Sequence, residues 1–323
     1  MSDVAIGVDV GGTKSLALLV ARDGRVLGER VEATPHEPAN APGHATAATV
    51  EKLVRALCEP LGLRPDALPV GLGLAGMVRR DGRLAFAPNL PGASGAEVGT
   101  LLGVALGSSL VVVENDANCA ARAEHAWGAA RGVANFVMVT LGTGIGGGVV
   151  SNGSLMRGQS GFAGEIGHMV VAAHGAPCPC GGRGCWERYA SGGGLRRLAL
   201  EAISEGRLAD LAESVGDVAD LRAEDVVTRA RAGDAEALSL MAEMGWWLAL
   251  GIANLSAILD CGHFLVGGGL GAASELFLPS TRTALVHLVE GYHARAEITV
   301  TPSLFGPRSG ALGAALVALE RLT

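Results

Sequence analysis

The chain has 323 residues, nearly half of them apolar, with 49 glycines and a formal net charge of −7. That length is about twice that of a common domain and predicts two domains. The acidic balance excludes nucleic acid as a main partner, because binding a phosphate backbone calls for a basic face.

Residues 4–10, 15–20 and 25–31 read as three strands. They are joined by Gly11-Gly12-Thr13-Lys14 and the Asp23-Gly24 turn, which predicts an antiparallel meander. The N-terminus lacks a basic start, a long apolar run and a small-residue cleavage site, so no signal peptide is expected and the predicted location is cytoplasmic. Next come a helix over 44–60, a strand at 69–75, a helix near 96–106 and a strand at 109–113 that runs into Glu114-Asn115-Asp116. Alternation of helices and strands makes this half α/β.

The plan then restarts, with a helix at 117–130, strands at 135–141 and 145–151 flanking a glycine loop, an Asn152-Gly153 turn and a further strand. The uncharged stretch 132–156 is interrupted by glycines and polar residues and does not suit a lipid-facing helix, so no membrane partner is expected. Residues 191–260 read as helical, with Trp246, Trp247, Leu250 and Leu255 expected in the core. A strand at 263–266 enters Gly267-Gly268-Gly269 and another helix, and a last helix covers 308–321.

Residues 71–76 and 142–147 both match the G-x-G-x-x-G string, but a dinucleotide site needs a helix directly after the loop, and 142–147 runs into a strand. The Walker pattern fails as well, since Lys14 follows Thr13 in the order Gly12-Thr13-Lys14-Ser15. A tight turn between strands still cradles phosphate through successive N–H groups, which suits both 11–14 and 142–147; a plain hairpin turn is the simpler alternative for either. Asp9, on an otherwise apolar strand, needs a partner such as a phosphate-bound Mg²⁺ or the N–H groups of its own loop.

At the carboxyl end of its strand, Asp116 suits two roles: the base that takes a proton from a sugar hydroxyl in phosphoryl transfer, or a helix cap. His168, Cys178, Cys180 and Cys185 make a complete Cys₃His set within eighteen positions, which predicts a structural Zn²⁺ with no open coordination position. Three clustered thiols fit a disulfide framework poorly, and Cys58, Cys119 and Cys261, scattered among apolar neighbours, read as buried thiols. The zinc loop carries Glu165 and Glu187 at its ends, which would serve sugar hydroxyls or simply be free surface carboxylates.

Asp9-Val10-Gly11-Gly12-Thr13-Lys14, Glu114-Asn115-Asp116-Ala117-Asn118, the glycine run from Gly142 and the block from Glu165 to Glu187 resemble, in order, the ROK family of sugar kinases and repressors. The resemblance implies an actin-like ATPase (ribonuclease H-like) fold, with two α/β domains around a central cleft. Residues 1–116 with 305–323 would form the smaller domain and 117–304 the larger. It implies that Asp116 is the base and that Gly76, Asn89, Asn115, Asp116, Glu165, His168 and Glu187 contact the hexose. ATP with Mg²⁺ would be held by Asp9, Gly11, Gly12, Thr13, Lys14, Thr143 and Gly144, with Gly267, Gly268 and Gly269 on the adenosine side. A homodimer is implied too.

The segments around 87–90 and 185–192 look most like bacterial glucokinases of the family, whereas Pro91-Gly92 departs from relatives that often carry a nearby Trp. Kinases of N-acetylglucosamine, N-acetylmannosamine, fructose or mannose stay open as alternatives, as does polyphosphate as donor. A repressor would carry a DNA-binding domain ahead of the first strand, where only three residues precede Val4, so a noncatalytic sugar sensor is the less expected reading.

Overall fold

The computed structural model describes residues 3–37, 40–90 and 92–322 and contains two compact units. Met1–Ala134, Gly148–Gly164 and Pro307–Thr323 form the first; Asn135–Gly147 and Glu165–Gly306 form the second.

The first unit begins with β1 (Val4–Val10), β2 (Lys14–Ala21), β3 (Val26–Ala33) and α1 (His44–Cys58). It continues through β4 (Val70–Leu74), the short strands β5 (Met77–Val78) and β6 (Leu84–Phe86), α2 (Val98–Leu106), β7 (Val111–Asn115) and α3 (Asp116–Ala126). The meander forms as expected: β2 lies antiparallel to both β1 and β3. Parallel pairing of β4 with β1 and β7 completes the order β3-β2-β1-β4-β7. β1 and β4 are buried along nearly all their length, as the continuous apolar runs of a two-sided sheet require.

β8 (Phe136–Leu141), β9 (Ile145–Ser151) and β10 (Ser154–Leu155) open the second sheet. Helices α4 (Glu187–Ala190), α5 (Gly192–Ser204), α6 (Ala209–Val215), α7 (Ala223–Arg231) and α8 (Ala235–Leu259) follow, then β11 (His263–Gly267), α9 (Leu278–Leu288) and β12 (Thr299–Pro302). The strand order β10-β9-β8-β11-β12 repeats the plan of the first sheet, with β11 parallel to β8 and β12. The repetition anticipated from the glycine loops is therefore one of topology. The sequence reading missed the β5–β6 pair and β12, which are too short to show a period of two.

The chain returns to the first unit in α10 (Ser309–Leu322). This helix lies on the sheet at a distance only glycine permits: a Cβ on Gly7 of β1 or Gly71 of β4 would collide with the carbonyls of Ala311 or Ala314. Ala311, Ala314, Ala315 and Ala318 are fully buried, so the small residues of this chain are the means of close helix-on-sheet packing.

α8 buries Ala237, Leu240, Met241, Met244, Leu248, Ile252 and Leu255 along one stripe. Leu255 is in the core as expected, but Trp247 and Leu250 are only half-buried, and Trp246 falls beside that stripe and is 42% exposed. The fully buried indole is Trp186, which donates Nε1–H to the Trp247 carbonyl at 2.7 Å and packs where Gly251 leaves room on α8. Among the described residues, α8 is long and apolar enough to cross a membrane by length and composition, and half of that apolar window is buried within the protein.

Candidate active site

In the first unit, Val10, Leu74 and Asn115 are paired in one row across β1, β4 and β7. The loops that leave these strands therefore start from one edge, the carboxyl edge at which open α/β sheets bind ligands. The first loop is closed by Gly11 N–H donating to the Lys14 carbonyl at 3.1 Å, and Thr34 Oγ1 donates to the Gly11 carbonyl at 2.7 Å. A Cβ on Gly12 would meet the Asn89 carbonyl at 2.8 Å, so the structure brings this loop against Asn89. Thr13 and Lys14 are exposed. Pro91, part of the departure noted from family relatives, lies outside the described residues.

Gly76 has φ of 143°, and a Cβ there would strike the Phe86 carbonyl at 2.5 Å. Its own carbonyl accepts from Asn115 Nδ2 at 3.0 Å. Asn115 Oδ1 accepts the Asn118 N–H at 2.9 Å and is the cap of α3. The capping role weighed for Asp116 thus belongs to Asn115. Asp116 occupies the first helical position, where one carboxylate oxygen accepts the N–H of Ala117 at 2.9 Å. Gly73 on β4 lies beside the Asp116 backbone and Cys119.

Asp9, in register with Gly73, packs its carboxylate against Gly310 in the first turn of α10. Burial raises its pKa to about 6, with Lys14 opposing the shift.

In the second unit, the loop after β8 is held by the start of α5. Gly192 N–H donates to the Gly142 carbonyl at 2.8 Å and Gly193 N–H to that of Thr143 at 3.0 Å. At the end of β11, Gly268 has φ of 79° and lies against the Leu141 backbone, so residues 267–269 and the Thr143-Gly144 loop adjoin. Gly144 in turn leaves space for the Glu187 carboxylate.

The His168, Cys178, Cys180 and Cys185 ligand atoms all lie within 4.8 Å of one another. Cys180 Sγ is 3.6 Å from Cys185 Sγ, and Cys178 Sγ is 3.9 Å from His168 Nδ1. A tetrahedral ion with bonds of about 2.3 Å separates its ligands by roughly 3.8 Å, so the donors fit such an ion, and these thiols are too far apart for a disulfide at about 2.04 Å. Gly184, at φ of 72°, passes so close to the Ala172 carbonyl that no side chain fits, which lets the loop wrap the site.

Glu187 and Glu165 flank this cluster. Cys178 Sγ donates to Glu187 Oε1 at 3.0 Å, while His168 Nε2 faces Glu165 Oε2 at 3.9 Å. Burial raises the Glu165 pKa, as does the nearby Glu187, and His168 opposes the shift. The six cysteines carry free thiols, and Cys58, Cys119 and Cys261 are buried as expected.

A family model described as "ROK family" matches residues 5–321. The chain belongs to the ROK family. A glucokinase of Streptomyces coelicolor is 34% identical over 98% of each chain, and an N-acetylmannosamine kinase of Escherichia coli is 33% identical over 97% of each. A ROK family glucokinase from Streptomyces griseus, solved with glucose and AMPPNP, superposes with a TM-score of 0.88 at 34% identity, covering 98% of this chain and 99% of its own. The duplicated sheet order of this ROK chain is accordingly that of the actin-like ATPase fold.

Two residues that organise this ROK site escaped the sequence reading. Trp186 is fully buried beside Glu187, and the signal available was an aromatic directly between a candidate metal ligand and a carboxylate. Ser191 caps α5 by accepting the Gly194 N–H and lies within hydrogen-bond distance of the Thr143 and Glu187 carbonyls. Its signal was a serine ahead of Gly192-Gly193-Gly194 and an apolar run.

The raised pKa of Asp9 gives a stability prediction with a definite sign. Its folded value of about 6 exceeds the ordinary 3.8 of an aspartate, so its contribution is fully favourable below about pH 4 and is lost as pH rises through 6. Asp9→Asn removes an ionisation that costs roughly 3 kcal/mol at pH 7. Thermal melts of both proteins without ligands, from pH 4 to 8, are expected to show the variant more stable above pH 6 and the gap closing below pH 4. A gap independent of pH would refute the assignment.

Proposed function

We propose that this chain transfers the γ-phosphoryl group of ATP to the 6-hydroxyl of glucose, with Asp116 as general base. The observation that carries this reading is the placement of the Asp116 carboxylate at the carboxyl edge of β7, with the capping duty taken by Asn115. The full-length likeness to glucokinases supports it.

In this mechanism Asp116 accepts the hydroxyl proton as the sugar oxygen attacks, and Asn89, Asn115, Gly76, Glu165, His168 and Glu187 orient the sugar. Backbone N–H groups of 11–13 and 143–144, with Lys14, receive phosphate oxygens, and residues 267–269 border the adenosine. Asp9 would hold the Mg²⁺ of the nucleotide, which would supply neutralisation of phosphate charge. Glu187 accepting from a free sugar hydroxyl favours glucose over a 2-N-acetyl sugar, which forfeits a donor there.

A coupled assay over glucose, N-acetylglucosamine, N-acetylmannosamine, mannose and fructose, with ATP and polyphosphate as donors, is expected to give the highest kcat/KM with glucose and ATP. The likeness to N-acetylmannosamine kinases makes that sugar the second reading, and a preference for it would replace glucose while leaving sugar kinase in place. Asp116→Asn is expected to lower kcat by about a hundredfold or more with little change in sugar binding. Near-normal turnover in that variant would remove the base assignment.

The metal is proposed to be zinc, held by His168, Cys178, Cys180 and Cys185 and serving to fix Glu165 and Glu187. Their fit to a tetrahedral ion supports it. Metal analysis of reduced protein should give one zinc per chain, and Cys180→Ser should lower that content and raise KM for glucose several-fold. Protein free of zinc yet fully active would reject the proposal. A cytoplasmic homodimer belongs to the same reading, and sedimentation at micromolar concentration tests the dimer directly, a monomer refuting it.

A further inference from the structure

Glu114 ends one residue short of the Asn115-Asp116 turn and is only 5% exposed. Both of its oxygens are engaged. Oε1 accepts the Asn115 N–H at 3.2 Å and Asn118 Nδ2 at 3.3 Å. Oε2 accepts from Arg157 Nε and Nη2 at 2.9 and 2.7 Å and from Arg321 Nη2 at 3.1 Å. One carboxylate therefore answers two guanidinium groups and has no capacity for more.

Those two arginines border a cavity of about 230 Å³ within the first unit, and Arg79 and Arg80 stand on the same wall. Val78, Val113 and Gly161 complete the lining. Four positive charges thus face one saturated carboxylate, in a chain whose formal net charge is −7. Arg80 spends Nε and Nη2 on the Gly158 carbonyl. Among the described residues, Arg157 Nη1, the Nε and Nη1 of Arg321 and the whole Arg79 guanidinium have no hydrogen-bond partner. Neighbouring Arg122, paired with Glu320, has its pKa lowered first by burial and then by Arg157, with Arg321 contributing, as a locally positive field requires.

Planar guanidiniums converging with spare N–H groups suit a tetrahedral oxyanion, whose several oxygens accept from more than one fork. The cavity has room for roughly seven water volumes, enough for a phosphate with a small substituent. We propose that this cleft is an anion site for inorganic phosphate or a small phosphomonoester, and that its occupancy is felt at Asp116 through Glu114. An anion that draws Arg157 and Arg321 toward itself loosens their hold on Oε2. Oε1 is tied to the Asn115 N–H and to Asn118 in the first turn of α3, so the loosened carboxylate disturbs the turn that carries Asp116. The binding claim stands on the cleft alone; the effect on turnover rests on the proposed kinase reaction.

The test uses the whole protein, wild type against the Arg79→Ala/Arg80→Ala double variant, with inorganic phosphate titrated calorimetrically at ionic strength held constant with chloride. Both arginines are exposed and neither belongs to the sugar, nucleotide or metal residues, so activity without phosphate should be unchanged. Phosphate binding should weaken at least tenfold in the double variant, and Arg79→Lys/Arg80→Lys should recover part of it. In the wild type, phosphate should lower kcat while leaving KM for sugar and for MgATP nearly unchanged, and the double variant should escape that inhibition. Glucose 6-phosphate as a second probe separates the sources, a tighter and equally variant-sensitive affinity marking the ester and a weaker one the free anion. Equal phosphate binding by wild type and variant overturns the site, as does displacement of all bound phosphate by an ATP analogue. If no sugar is phosphorylated, the calorimetric arm still decides the site while the kinase reading fails separately.

Discussion

Alignment of Val10, Leu74 and Asn115 in one row across three strands is the constraint on which the first unit's chemistry depends. Parallel pairing puts the ends of β1, β4 and β7 level, so the 11–14 loop, Gly76 and Asp116 all leave the sheet at one edge. The row holds because α10 can lie directly on β1 and β4, where Gly7 and Gly71 present bare backbone to its alanines. A side chain at either glycine would lift the helix, and Asp9, packed against Gly310, would lose its wall. The scarcity of large residues is thus tied to the position of a carboxylate.

The second unit reaches comparable order by different means. Its glycine loop is tied by backbone hydrogen bonds to the start of α5, and its carboxylates are placed by a cluster of thiols and an imidazole. Trp186 links the two arrangements. Buried completely against α8, it holds the chain between Cys185 and Glu187, and Ser191 then joins the Glu187 carbonyl to the Thr143 loop. Any ion bound by the cysteines therefore acts on Glu187 through a short, rigid stretch of backbone.

Charge follows the same economy. Asp9 and Glu114 both sit in surroundings that tax an ionised carboxylate, and they are treated differently. Glu114 has two arginines and stays saturated with hydrogen bonds. Burial raises the Asp9 pKa, and Lys14 only partly offsets that rise. The first arrangement is structural support with positive charge left over at its outer side; the second keeps a carboxylate with a raised pKa next to the 11–14 loop.

The features legible in the chain are local: strands that end in glycine turns, a strand ending in Glu114-Asn115-Asp116, and four candidate metal donors whose spacing already encodes their meeting. These were legible because each depends on backbone conformation or on residues close in the chain, where chemistry and spacing suffice. Long-range packing set the rest: Asn115 caps α3 while holding Gly76, Trp186 is buried and Trp246 exposed, and Glu114 finds Arg157 and Arg321, which lie 43 and 207 positions away. An arginine reads the same in sequence wherever its guanidinium goes, and an indole on a helix turns inward or outward according to which neighbour leaves room for it, as Gly251 does for Trp186. Choices of that kind are made by packing and by desolvation, which exist only once distant segments have come together.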